Sequence, residues 1–94
     1  MELSTYDVEL LTWMDKQDPA RPIDHSEGWS DCAVGDFARA TASKNDDNLS
    51  PAVKRPDSED LVEVLGNPNN YELGTTYGET VAYLKNEGFY AEIE

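Results

Sequence analysis

The chain has 94 residues, of which 20 are acidic and seven are basic, and its formal net charge is −13. A charge of this sign and size repels nucleic acid and anionic membranes and attracts basic surfaces. It therefore disfavours direct binding of nucleic acid and association with a membrane. Hydrophobic residues make up 38% of the chain, which is more than a disordered acidic tail carries, and about 100 residues form one domain. We expect one folded domain over residues 1–94.

The first predicted helix runs from about Thr5 to Gln17, with Ser4 or Thr5 as its N-cap. Its apolar residues recur at helical spacing and fall on one side of a helical wheel. They are Leu3, Tyr6, Leu10, Trp13 and Met14. Asp18 and Pro19 end the helix, because proline disfavours helical backbone at the residue before it. The pattern predicts an amphipathic helix with one face on the core.

A second helix is predicted to begin after Ser30, which caps it, and to carry apolar residues along one face. These residues are Ala33, Val34, Phe37 and Ala40. Gly35 inside this helix costs about 1 kcal/mol relative to alanine.

Residues 42–56 are polar, rich in turn-forming residues and contain two prolines, so we expect a long, flexible surface loop there.

The third predicted helix is short, begins after Asp57 or Ser58 as N-cap, and ends at Leu65 before Gly66. Apolar and acidic residues segregate on it more sharply than anywhere else in the chain. The apolar face holds Leu61, Val64 and Leu65, and the acidic face holds Glu59, Asp60 and Glu63. The acidic face is predicted to point away from the core.

The fourth predicted helix runs from about Thr76 to Asn86, with Gly88 as its C-cap. Its inward-facing residues are Tyr77, Val81 and Leu84. From Tyr90 onward the tail alternates apolar and acidic residues, which is typical of an edge strand, and residues 71–73 are a candidate partner strand. We therefore predict a mostly α, compact bundle of about four short helices with room for a minor β pairing at the C-terminus. The alternative is an α+β fold.

Compartment and chemistry follow from what the sequence lacks. Cys32 is the single cysteine, and the N-terminal residues lack the apolar stretch of a signal peptide, so we expect a cytoplasmic protein.

Cys32 and His25 are the residue types of a cysteine hydrolase, but the acidic surroundings oppose formation of a thiolate at Cys32. Nitrogen, oxygen and sulfur donors also cluster here, but without the Cys-x-x-Cys or His-x-x-x-His spacing of a zinc site. These residues are Asp24, His25, Glu27, Asp31 and Cys32. We expect no enzymatic activity, no metal and no cofactor.

The acidic face of the third helix is the leading candidate for function. Carboxylates held on a rigid helix several ångströms apart imitate a row of phosphates, so a protein that binds nucleic acid would bind them instead. The candidate partner-binding residues are Glu59, Asp60, Glu63, Asp31 and Asp36. We expect the partner to be a basic nucleic-acid-binding protein or complex.

In size, acidity and cysteine-poor composition, the chain resembles the small acidic inhibitors made by phages and mobile elements, which include anti-CRISPR and anti-restriction proteins. The segment Trp-Ser-Asp-Cys-Ala-Val-Gly-Asp-Phe-Ala-Arg at residues 29–39 is also similar to short stretches in small uncharacterised phage proteins. The resemblance implies a non-enzymatic, stoichiometric inhibitor that acts in the host cytosol and occupies a nucleic-acid channel or blocks a moving part of its target. It implies nothing about architecture.

Two other interpretations remain open. A small adaptor or regulatory domain would bind another protein through exposed aromatic side chains, since tyrosine and tryptophan often anchor interfaces. Its candidates, which fall outside the predicted core stripes, are Trp29, Tyr83, Phe89 and Tyr90. The second interpretation is adaptation to high intracellular salt, in which the acidity keeps the protein soluble and marks no partner. It predicts unfolding in dilute buffer.

Overall fold

Helices provide the regular structure of this protein. The computed structural model describes residues 2–23, 32–42, 54–67 and 69–93. In chain order the elements are α1 (Thr5–Asp15), α2 (Ala33–Ala42), α3 (Glu59–Leu65), a 3₁₀ turn (Tyr71–Leu73) and α4 (Tyr77–Asn86). These ranges contain no strand, so the predicted mostly α fold of about four short helices is confirmed. The predicted loop at 42–56 lies largely outside the described residues.

Side-chain caps fix where the helices begin. Ser4 caps α1 through a reciprocal pair, in which Ser4 Oγ accepts from the Asp7 N–H and Asp7 Oδ2 accepts from the Ser4 N–H, both at 3.1 Å. Ser58 Oγ accepts from the Leu61 N–H at the start of α3, and Thr76 Oγ1 accepts from the Glu79 N–H at the start of α4. The three predicted starting points are therefore confirmed within about one residue.

The first helix ends two residues earlier than predicted. After Asp15, the N–H groups of Lys16 and Gln17 donate to carbonyl groups only three residues back, both at 3.2 Å. Such bonds tighten the last turn of a helix. The α-helical pattern therefore stops before Gln17, ahead of the break at Pro19.

The core is formed where α1 packs against α2 and α4. Its fully buried residues include Leu10, Leu11, Val34, Leu61, Leu73, Tyr77 and Leu84. On α3, Leu61 and Leu65 are buried as predicted and Val64 is partly buried. Ala40 is exposed, which corrects its predicted place on the apolar face of α2. The reason is that α2 is buried mainly through its N-terminal half, at Ala33, Val34 and Phe37.

The predicted β pairing at the C-terminus is wrong. Residues 71–73 form a 3₁₀ turn, and the chain after α4 turns back on itself. Gly88 has φ +92°, its N–H donates to Lys85 O and the Phe89 N–H donates to Leu84 O, both at 3.1 Å. This is the Schellman helix end, which requires a left-handed residue and favours glycine. It directs Phe89 and Tyr90 into the core instead of along an extended strand.

A short backbone pairing ties the segment after α1 to the start of α4. Pro22 and Thr76 form an isolated antiparallel bridge. Beside it, the Ile23 N–H donates to Thr75 O at 2.8 Å and the Tyr77 N–H donates to Arg21 O at 2.9 Å. Within the described ranges this bridge is the one contact of β type. It ties the start of α4 to the segment that follows α1.

Candidate functional site

A groove of about 540 Å³ lies between α3, the 3₁₀ turn and α4, and we call it the acidic groove. Four carboxylates line it, from Asp60, Glu63, Glu72 and Glu87. Its other lining residues are Val64, Asn67, Asn70, Tyr83 and Phe89. It combines a concave shape, four negative charges and an aromatic wall, so it suits a positively charged side chain with an apolar stem.

Local structure sets the direction of each carboxylate. On α3, burial of Leu61 and Leu65 in the core turns Asp60 and Glu63 toward solvent on neighbouring turns of the helix. Tyr83 on α4 and Glu87, the C-cap of that helix, are four residues apart and therefore lie on the same side. The lining residues on α3 thus face those at the end of α4 across the groove.

The 3₁₀ turn that carries Glu72 is held by a side chain and a glycine. The buried hydroxyl of Thr80 donates to Leu73 O at 2.7 Å. Gly74 follows with φ +75°, a conformation that L side chains rarely adopt. These features keep the turn against α4 and place Glu72 at the rim of the groove.

Four ion pairs join described residues of the chain. Arg39 and Arg21 approach Asp36 at 2.9 and 3.7 Å. Two further pairs join Lys54 to Asp57 and Lys85 to Asp15. No ion pair among the described residues involves a carboxylate of the acidic groove, and no lysine or arginine is among the residues that line it. Within the described residues, the lining of the groove therefore holds four carboxylates and no basic side chain.

Tyr83 is the polar aromatic group of the groove. Its hydrogen bond with Glu87 raises the pKa of Tyr83 above the usual value, because the bond favours the neutral phenol beside a carboxylate. A tyrosine face beside carboxylates is favourable for a guanidinium or ammonium group through cation–π attraction.

The structure brings together two of the five predicted acidic residues. Asp60 and Glu63 line the acidic groove, whereas Glu59 is exposed in the first turn of α3 and does not line it. Asp36 is elsewhere, and its carboxylate accepts from Tyr77 Oη at 2.9 Å as well as pairing with arginines. Asp31 lies outside the described residues.

The four aromatic candidates for an interface also lie in different places. Tyr83 is half-buried in the wall of the acidic groove. Phe89 and Tyr90 are each only 2% exposed, so their predicted exposure is wrong. The turn at Gly88 is the reason, and Tyr90 Oη completes its burial by donating to Leu11 O at 2.8 Å. Trp29 lies outside the described residues.

Sequence reasoning missed half of the carboxylates in the groove, Glu72 and Glu87. Glu72 stands between Tyr71 and Leu73, Glu87 stands between Asn86 and Gly88, and neither belongs to a run of acidic residues. A weak signal was present for Glu87, which follows Tyr83 by four residues and so shares its face of a helix. The two acids share a site with Asp60 only because the fold brings the 3₁₀ turn and the end of α4 to the groove that α3 lines.

The described residues contain neither a reactive cysteine nor a metal-binding cluster. Cys32 is 4% exposed, and burial raises the pKa of its thiol, which disfavours a reactive thiolate. His25 lies outside the described part of the chain. No cluster of three or more potential metal ligands and no helix long and apolar enough to span a bilayer occurs within these ranges.

No protein-family model, curated protein or solved structure is significantly similar to this chain. The geometry and charge of the acidic groove are therefore the features that point to a function.

Proposed function

We propose that this protein is a non-enzymatic, stoichiometric inhibitor that binds a basic nucleic-acid-binding protein through its acidic groove and thereby excludes nucleic acid. The observation that carries the proposal is the convergence of four carboxylates on one groove that no lysine or arginine lines among the described residues. The net charge of −13 adds long-range attraction to a basic partner.

The groove offers more than charge. A single exposed ion pair contributes about 0–1 kcal/mol, so four scattered acids would bind weakly. Carboxylates on α3, the 3₁₀ turn and α4 instead surround one concavity, where a lysine or arginine of the partner meets several of them at once. The partly exposed side chains of Val64 and Tyr83 in the wall of the groove cover the apolar stem of such a side chain.

The proposed class is that of the small acidic phage inhibitors, with a CRISPR effector or a restriction complex as the host target. Such complexes hold nucleic acid in channels lined with lysine and arginine. An acidic surface that occupies the channel competes with the phosphate backbone. Because both partners would meet in the host cytosol, the proposed site of action is cytoplasmic.

Affinity capture with charge-reversed variants tests the proposal. The tagged chain is incubated with host lysate at low and high salt, and the retained proteins are identified by mass spectrometry. We expect the wild type to retain a nucleic-acid-binding complex at low salt only, because salt screens exposed charges. The variant Asp60→Lys/Glu63→Lys should lose it. The control Glu2→Lys/Glu9→Lys carries the same net charge, changes exposed acids outside the groove, and should retain it.

The adaptor function is the second candidate, and one observation favours it. Tyr71 is 87% exposed and lies between Asn70 and Glu72, which line the acidic groove. An interface anchored by Tyr71 and Tyr83 would tolerate salt. Loss of capture in Tyr71→Ala and Tyr83→Ala, with capture by Asp60→Lys/Glu63→Lys intact at high salt, would favour this function over inhibition by charge.

A further inference from the structure

One carboxylate of this acidic protein is completely withdrawn from solvent. Asp7, in the first turn of α1, is 0% exposed. Its Oδ1 accepts from the Asp57 N–H at 2.8 Å, and its Oδ2 accepts from the Ser58 N–H at 2.9 Å and from the Ser4 N–H at 3.1 Å. The cap of α1 requires only the bond to Ser4. The other two bonds reach a segment fifty residues away in the chain.

Those two bonds fall at the start of the acidic helix. Ser58 is the N-cap of α3, and Asp57 precedes it. A helix of seven residues is too short to be stable alone and depends on its tertiary contacts. Leu61 and Leu65 anchor its apolar face, whereas Asp7 holds the backbone from which it starts.

The neighbouring residue of α1 strengthens the same attachment. Tyr6 Oη donates to Lys54 O at 2.7 Å, and Lys54 Nζ lies 4.5 Å from the centre of the Tyr6 ring. Successive residues of α1 therefore hold the segment from Lys54 to Ser58. None of the ion pairs within the described residues includes Asp7, so backbone N–H groups are its hydrogen-bond partners.

We propose that Asp7 is a positioning residue for the acidic groove: it meets no partner itself but sets the start of α3, and so the placement of Asp60 and Glu63. This inference rests on the proposed function of the groove. Exposed and buried carboxylates of the same chain would then have different roles. The exposed carboxylates of the groove meet the basic partner, while the buried one orders the helix that carries two of them.

Amide hydrogen exchange of the free protein, followed by NMR, tests the positioning without any partner. In the wild type, the amides of Asp57 and Ser58 precede a helix and have no helical acceptor, yet we expect them to be protected. In Asp7→Asn they should exchange at least about ten-fold faster, together with the amides of α3, while the amides of α4 remain protected. Unprotected amides at both positions in the wild type would overturn the proposal even if the variant failed to fold.

Binding of a fluorescein-labelled nona-arginine peptide provides the second readout, at a temperature where every variant is folded. If Asp7→Asn leaves α3 in place in only about a tenth of the molecules, the apparent affinity falls about ten-fold. Glu9→Gln makes the same charge change on the exposed side of α1, and Val81→Ala destabilises the core away from the groove. Both controls should bind like the wild type.

The two readouts separate the two claims. Wild-type protein that protects Asp57 and Ser58 but does not bind the peptide would contradict the proposed function and leave the ordering of α3 by Asp7 intact. Equal exchange of α3 in the wild type and Asp7→Asn would overturn the positioning role, whatever the peptide does. Equal loss of affinity in Val81→Ala would reduce Asp7 to a general contributor to stability.

Discussion

The hydroxyl of Tyr77 connects the core to the charged cluster around Asp36, and its removal should have opposite effects at neutral and alkaline pH. The residue is 1% exposed, and its Oη donates to Asp36 at 2.9 Å. In Tyr77→Phe this bond is lost, but Asp36 keeps its arginine partners and is 22% exposed, so water can replace the phenol. We expect a loss of about 1 kcal/mol in the free energy of unfolding at pH 7.

Above pH 10 the balance changes. Burial and the hydrogen bond to Asp36 raise the pKa of Tyr77 well above its usual value. The stabilisation linked to this raised pKa is complete below about pH 10, where the unfolded tyrosine titrates, and is lost as the pH rises toward the folded-state pKa. By pH 11 the wild type should have lost about 1.4 kcal/mol through this residue. Phenylalanine does not titrate, so the two stability curves should cross between about pH 10 and pH 11.

Urea unfolding followed by far-ultraviolet circular dichroism, at intervals between pH 7 and pH 11, measures the difference directly. Burial raises the pKa of Tyr6 to about 12, but Tyr6 is present in both proteins and its effect cancels in the difference. Parallel stability curves over the whole range would refute the reasoning. They would mean that the Tyr77 hydroxyl is neither buried nor bonded to Asp36 in solution.

Two further substitutions test the framework of the fold by the same unfolding assay. Leu84→Ala should destabilise the protein by about 2–5 kcal/mol, because Leu84 is fully buried on α4, and a cost below about 1 kcal/mol would contradict this burial. Gly74→Ala should cost at least about 1 kcal/mol, because φ is +75° and the added Cβ would overlap the Glu79 side chain. Gly88→Ala is its control: Gly88 also has positive φ but open space around it, so it should cost less than Gly74→Ala.

Local signals in the sequence were sufficient to locate most of the helices. Ser4, Ser58 and Thr76 stand where a cap is needed, and the spacing of Leu61 and Leu65 indicates which side of α3 is buried. These features act over three or four residues, so a pattern can show them. The alternation of apolar and acidic residues from Tyr90 onward wrongly indicated a strand, because the turn at Gly88, two residues earlier, decides the direction of the tail.

The acidic groove depends on contacts that no local pattern contains. Asp7 has the appearance of an ordinary acid in the first turn of a helix, and only the fold brings the N–H groups of Asp57 and Ser58 to it. Glu72 and Glu87 join the site because the 3₁₀ turn packs against α4 and both line the groove together with α3. The fold also removes a predicted residue from the site. Asp36 was predicted to bind a partner, but its carboxylate bonds to Tyr77 and to two arginines.

The most direct test of the central claim is a competition measurement. The nucleic-acid-binding protein recovered by capture is bound to fluorescently labelled DNA or RNA, and the fluorescence anisotropy is followed as this chain is added. We predict displacement at one chain per binding site, with an inhibition constant that rises with salt. Asp60→Lys/Glu63→Lys replaces two attractions by two repulsions, worth about 2 kcal/mol at about 0.5 kcal/mol each, and should inhibit about thirty-fold more weakly. Simultaneous binding of this chain and the nucleic acid, or equal inhibition by the variant, would contradict the account.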